Sequence, residues 1–301
     1  MVIQLKKPTR RKRTFGDTVF SIVNYGLLLA LTFTCLFPFL NQFATAFSSD
    51  FAIRTGKVSL WPVGFQLDAF KQVLFDPVIF RSLMVTVFLA TFGTFLNLLM
   101  TVITAYPLSR RDLAGRQYFI TYILITMLFS GGMIPGFLLM KWLGLVNTIW
   151  ALIIPGLASA FNIFIMMNFF RGLPDEIRES ATVDGCGNIR YIWQFVLPLS
   201  KAVLATIGLF YAVGHWNTYM GAVIYIDNPD LWPLQVKLRN ILLLSQMDTS
   251  LETLQEVFKL NVTQESIKAA VIVYSTLPIL LVYPWLQKYF VKGVTIGSVK
   301  G

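Results

Sequence analysis

The sequence predicts an all-α integral membrane protein with six transmembrane helices, on three observations. Of 301 residues, 55% are hydrophobic and only 13% are charged, against about 25% charged in a soluble domain. Mean hydropathy is +0.65. Six stretches lack Asp, Glu, Lys and Arg altogether, 18–49, 82–106, 117–140, 142–170, 202–226 and 269–287, and a spanning helix needs about 20 apolar residues. This composition excludes a disordered chain, which needs low hydrophobicity and high charge. Two cysteines, Cys35 and Cys186, exclude a disulfide scaffold.

A basic tail, 1–17, with Lys6, Lys7, Arg10, Arg11, Lys12 and Arg13, leads into the first stretch. Ala44-Thr45-Ala46 resembles a signal-peptide cleavage site, but the apolar run exceeds the 7–15 residues or so of a signal core. It therefore reads as an uncleaved helix, with Cys35 as a buried apolar residue. Gly131-Gly132 with Pro135 weakens or breaks the third span, and Pro155-Gly156 the fourth; such breaks survive where protein or water satisfies the backbone. Only Lys141 separates these two spans, so the turn residues Gly144 and Asn147 divide them. Residues 18–290 thus form one spanning region that holds the loops 171–201 and 227–268, and 291–301 is a C-terminal tail. The long loops 50–81 and 227–268 are candidates for function, and 241–260 reads as an amphipathic helix.

Six spans put both termini on one side. The tail, 110–116, 171–201 and the C-terminal segment carry sixteen basic and six acidic residues, a net charge of +10; the other face carries nine of each. Positively charged loops stay inside, so the first face is cytoplasmic. Cys186 then lies in a reducing compartment as a free thiol. The basic balance is a topology signal, and no nucleic-acid partner is expected because no folded basic domain exists to bind one.

All fifteen acids lie outside the six stretches. Buried carboxylates are the usual sites of ion-coupled carriers, so that class is disfavoured, although backbone carbonyls can also bind sodium. One histidine, His215, and two distant cysteines make no metal site. No phosphate loop is present around Lys57, and Gly185-Cys186-Gly187 lacks the third glycine of a dinucleotide turn. The chain is not expected to be an enzyme or to hold a cofactor.

The most informative segment is 171–201, RGLPDEIRESATVDGCGNIRYIWQFVLPLSK. Pro174 suits a helix start, Asp175 and Glu176 favour its N-terminus, and Gly185 suits a left-handed C-terminal cap. Asn188 is a plausible N-cap for a second short helix. Ser180 and Ala181 are small enough to allow close approach by another protein.

Glu179, Ser180, Ala181, Gly185, Phe195, Leu197 and Pro198 follow the Glu-Ala-Ala…Gly…Ile-x-Leu-Pro pattern of bacterial ABC importer permeases, with Ser for the first Ala and Phe for Ile. Asp184-Gly185 matches the form common in carbohydrate permeases. With 127–135 (MLFSGGMIP), 171–177 (RGLPDEI) and 289–301 (YFVKGVTIGSVKG), the chain resembles the MalG-like carbohydrate permeases, in the LplC/YtcP-like branch. The resemblance implies a type I ABC importer permease fold in the bacterial inner membrane. It implies a coupling helix that docks in a cleft of the cytoplasmic ATPase, two copies of that ATPase carrying ATP and Mg, and a second related permease. It also implies an external solute-binding protein and an oligosaccharide substrate, with an acidic polyuronate fragment plausible for this branch. Glu179, Ser180, Ala181, Asp184, Gly185, Leu197 and Pro198 are the expected coupling residues, and the tail 288–301 is a second candidate for that contact. The alternative reading of Glu179 and Asp184 is local, as helix ends or as salt bridges with Arg178 or Arg190.

Asn97, Asn162, His215, Trp216, Asn217 and Tyr219 are candidates for the substrate path, with Ser130 and Asn168 beside them. Amides and hydroxyls suit sugar hydroxyls, and aromatic rings suit apolar sugar faces. The competing reading is that such residues bond neighbouring helices or anchor at the interface. Two functional rivals remain: an ion-coupled carrier that works without an ATPase, and a non-transporting membrane scaffold.

Overall fold

The computed structural model describes residues 15–244 and 262–298, and among these it contains helices and turns but no strand. Two compact units divide the chain, Met1–Ala69 with Val262–Ala270, and Phe70–Asn261 with Val271–Gly301.

In the first unit, α1 (Phe15–Ala46) exposes its apolar side chains along most of its length. Cys35 is exposed with them, which corrects the expectation of burial: α1 presents it outward, not to a core of its own chain. The segment after α1 is folded. Ser49 caps α2 (Asp50–Arg54), Val63 N–H donates to Ser48 Oγ at 3.0 Å, and the Phe47 and Phe65 rings stack at 5.9 Å. Asp50 Oδ1 accepts from Thr263 N–H and Thr263 Oγ1, both at 3.0 Å, and so fixes the start of the last helix.

In the second unit, α3 (Asp68–Phe75) precedes α4 (Pro77–Phe88), whose N-cap Asp76 accepts from Val78 and Ile79 N–H with Pro77 in the first turn. A five-residue π turn, Leu89–Gly93, continues into α5 (Thr94–Ser109). The helices α6 (Arg116–Leu128) and α7 (Met133–Trp142) bend by 115°. The break falls at Gly132, φ +88°, in the segment the sequence marks. Gly144 and Asn147, φ +68° and +62°, make the turn that follows. Next, α8 (Trp150–Ile153) with its 3₁₀ turn Ile154–Gly156 meets α9 (Ala160–Arg171) at 51°, again where Pro155-Gly156 predicts a break.

The loop element follows as α10 (Asp175–Val183), α11 (Asn188–Tyr191), a π turn Ile192–Val196 and α12 (Leu197–Leu199). It bends by 84° into α13 (Lys201–Trp216). The predicted fifth span, 202–226, is not one helix. It stops at Trp216 because Asn217 Nδ2 and Thr218 Oγ1 fold back onto the carbonyls of Val213 and Gly214, a competition that ends helices; α14 (Met220–Tyr225) is separate. Then come α15 (Leu234–Leu244) and α16 (Gln264–Ser298). Of the amphipathic helix predicted over 241–260, the first residues belong to α15 and the rest lies outside the described residues. By length and apolarity, Phe15–Ala46, Pro77–Ser109 and Gln264–Val282 can each cross a membrane alone, and three bent pairs bring the number to six if each pair is one span.

The core of this unit lies where α5, α9 and α13 pack, around Ala105, Met166 and Ile207, and Ala181, Tyr191 and Val196 of the loop element join it. Lipid is as apolar as leucine, so close packing holds such helices together. Gly208 serves that purpose: an added Cβ would lie 3.2 Å from Leu98.

Candidate functional site

Two sets of predicted residues fall in two places. The first is the loop element. Pro174 is the N-cap residue of α10, with Asp175 and Glu176 in its first turn. Gly185, φ +74°, ends the helix in the left-handed region that favours glycine, and Cys186 N–H closes the turn on Ala181 O at 2.9 Å. The N-cap of α11 is Gly187, and Asn188 is its first helical residue, which corrects the predicted cap by one position; Gly187 already holds the extended backbone a cap requires.

Glu179, Ser180, Asp184 and Gly185 are exposed. Among the described residues Glu179 and Asp184 make no ion pair, because Arg178 turns to Asp112 at 3.7 Å and Arg190 Nε donates to Gln194 at 3.0 Å. The local salt bridges considered for them are therefore not formed. Ala181 is buried at 4% exposure; its side chain faces the bundle, where small size lets α10 lie close, and not outward with its neighbours. Leu197 packs partly against the core, and Pro198 is exposed in the first turn of α12. The sequence reading missed Val183 and Ile189. They flank Gly185 and are 87% and 76% exposed, a pair of apolar groups outside a predicted span. Their signal was present in the pattern, as large aliphatic residues on the polar side of a short helix.

Beside α10 lies a cavity of about 330 Å³ lined by arginines 110, 111, 171 and 178, by Asp112 and by Glu179. Arg110 grips Asp112 with two bonds, at 2.9 and 2.6 Å. That hydrogen bonding holds the Asp112 carboxyl down at about 2. Arg110 also reaches the Tyr106 hydroxyl at 3.5 Å, and Arg178 of α10 lies 3.7 Å from Asp112, so the loop after α5 and helix α10 meet at one carboxylate.

The second set lies among α5, α9 and α13. Asn97 is fully buried and His215 is 8% exposed. Asn97 Nδ2 donates to Gly156 O at 2.6 Å, which turns its Oδ1 to His215 Nε2, also 2.6 Å away. An amide oxygen only accepts, so with the amide in this orientation the contact is made by the His215 tautomer protonated on Nε2. In this conformation Asn97 and His215 bond to each other and, through Asn97, to the broken helix. Asn162 is buried. Trp216 is 8% exposed, and its Nε1 has no hydrogen-bond partner among the described residues. Asn217 is exposed and caps α13, and the Tyr219 ring lies 4.9 Å from the Arg239 guanidinium. Asn168 and Ser130 are exposed on α9 and at the α6–α7 break. No cluster of His, Cys, Asp and Glu suited to a metal occurs among the described residues.

An all-helical membrane bundle that carries such a two-helix loop is the architecture of a type I ABC importer permease. The chain belongs to the family of binding-protein-dependent transport system inner membrane components, which matches residues 118–296. It is similar to the polygalacturonan/rhamnogalacturonan transport system permease protein YtcP of Bacillus subtilis (strain 168), 43% identical over 286 residues, covering 95% of this chain and 99% of the relative. Protein LplC of the same organism is 44% identical over 289 residues, covering 96% and 97%. A chain in the crystal structure of a bacterial ABC transporter involved in the import of the acidic polysaccharide alginate superposes with a TM-score of 0.87 at 34% identity, covering 93% of this chain and 99% of that one.

Proposed function

We propose that this chain is the permease through which an ABC importer moves an acidic oligosaccharide, a polyuronate fragment, across the inner membrane. Its partners are two copies of a cytoplasmic ATPase that bind ATP and Mg, a second related permease, and a solute-binding protein on the outer side. The observation that carries the reading is the loop element: exposed, with Glu179 and Asp184 making no ion pair among the described residues, Gly185 at its tip, and apolar Val183 and Ile189 beside it. Exposed apolar groups ringed by polar ones are what a protein-binding surface presents. The acidic character of the substrate is supported by the galacturonan and alginate systems among its relatives.

ATP-driven closure of the ATPase pair pulls this element and, through α9 and α13, re-aims the bundle. Both termini lie in the cytoplasm, as the charge distribution supports. The sugar passes Asn162, Trp216, Asn217 and Tyr219. The Trp216 indole N–H, buried without a partner among the described residues, is the donor best placed to gain from a sugar hydroxyl. Detergent extraction of the tagged chain, with partners identified by mass, tests the assignment. Recovery of an ATPase and a second permease, with ATP hydrolysis stimulated by binding protein and oligogalacturonate or alginate oligomers, is the expected result. A lone chain that moves solute on an ion gradient overturns it.

A further inference from the structure

The break in the fourth span leaves backbone groups without helical partners. The 3₁₀ turn ends at Gly156 and α9 begins at Ala160. Inside a bilayer such groups must find protein partners, and two side chains supply them. Asn97 Nδ2 donates to the Gly156 carbonyl at 2.6 Å. Tyr211 Oη accepts from the Ser159 N–H at 3.0 Å. Each of these caps is itself held by a residue of the opposite helix: Asn97 by His215 at 2.6 Å, and Tyr211 by Thr101 Oγ1 at 2.8 Å.

The four residues make two rungs. Asn97 and Thr101 are four apart on α5, and Tyr211 and His215 are four apart on α13, so each pair lines one helix face one turn apart. One rung binds the chain just before the break, and the other just after it. The π turn Leu89–Gly93 adds a third constraint. Gly93 lies so close to His215 that an added Cβ would stand 2.7 Å from its Nε2, so the glycine is what lets the imidazole reach Asn97.

A broken span is the usual place to look for a hinge. This one is clasped on both sides to two other spans, with every member but Ser159 and Gly156 contributed by a side chain. We propose that the break in the fourth span is a fixed elbow, and that Asn97, Thr101, Tyr211 and His215 are positioning residues that make the second, fourth and fifth spans move as one body. Displacement of the loop element at the end of α9 then passes through the break to the outer limb Trp150–Gly156 without being absorbed as bending. The inference rests on the permease reading above.

The test uses the assembled transporter, with Cys35 and Cys186 replaced by serine and spin labels on cysteines at Trp150 and Asn168, one on each limb. In the otherwise unchanged complex the label distance is expected to be the same without nucleotide and with trapped ATP. Tyr211→Phe combined with Asn97→Leu is expected to broaden the distances and to lower the sugar moved per ATP about tenfold, as the Gly156 carbonyl and the Ser159 N–H lose their side-chain partners. Thr101→Ser keeps the hydroxyl and is expected to behave as the parent; Thr101→Val is expected to behave as a weaker form of the double variant. A distance in the parent that changes between the two nucleotide states overturns the elbow, as does a wild-type ratio of sugar to ATP in the double variant. If the double variant does not assemble, the parent distance and the Thr101 pair still decide. A complex with no ATP hydrolysis stimulated by binding protein sinks the permease reading itself, and the elbow with it, by a measurement separate from the distances.

Discussion

The loop element and the clasp at the broken fourth span are both built from short helices and polar residues, yet they spend those residues in opposite ways. In the loop, Glu179 and Asp184 make no ion pair among the described residues, and Val183 and Ile189 stand exposed. In the clasp, Asn97, Thr101, Tyr211 and His215 are buried and mutually bonded; it is finished within the chain. Exposed polar groups of a loop can be satisfied by water, whereas inside lipid the same groups must find partners within the protein.

If that contrast holds, loop variants should lose partner-dependent activity at nearly constant stability, and clasp variants should lose stability as well. The largest effect is expected from Gly185→Trp. Nothing lies within 4 Å of an added Cβ there, but φ +74° strains any side chain, so a modest fall in melting is expected beside the loss of activity. Stimulated ATP hydrolysis should fall about 30-fold or more, the size of an interface hot spot. Gly185→Asn, which tolerates the left-handed region, separates the bulk of the residue from backbone strain. A large fall in melting temperature for the Asn variant would break the comparison.

Val183→Asp and Ile189→Asp should each weaken ATPase recovery about tenfold, a loss of the order seen for buried interface side chains, with melting unchanged. Gly93→Ala should act the other way: the methyl group displaces His215 and costs about 1–3 kcal/mol in melting, the usual range for overpacking. Unaltered melting there would mean that the imidazole has a second position.

The smallest effect is expected at Asp112. Its carboxyl is held down at about 2 by Arg110, so the bridge is complete above the ordinary carboxylate range and is lost only as pH falls through about 2. Between pH 8 and 5, activity ratios of parent and Asp112→Asn should therefore stay parallel. A crossing of the two profiles in that window would assign Asp112 a titrating role. Because the residue is exposed, Asp112→Asn should shift melting little.

The loop was legible in the sequence because its signals are local. Pro174, Asp175, Glu176 and Gly185 announce a helix start and stop by rules that act within a few residues, and at the helix ends the structure moves the second cap from Asn188 to Gly187; that Ala181 faces inward while Val183 and Ile189 stand exposed was not legible from those local rules. The breaks at Gly131-Gly132 and Pro155-Gly156 were legible for the same reason. The exposure of Cys35 was not, since no local pattern says which side of an apolar helix meets its own chain.

Composition and charge fixed the class of this protein and the segments apolar enough to span, and capping residues placed the two-helix loop, because lipid solvation and helix capping act on each segment separately. Sequence could also name Asn97 and His215 as unusual polar residues in apolar helices. Only the tertiary structure decided their use, and it drew in Thr101, Tyr211 and Gly93, which the sequence did not mark. The reason is one of distance along the chain: Asn97 meets Gly156 and His215 across 59 and 118 residues. Which buried group satisfies which is settled only when the helices pack.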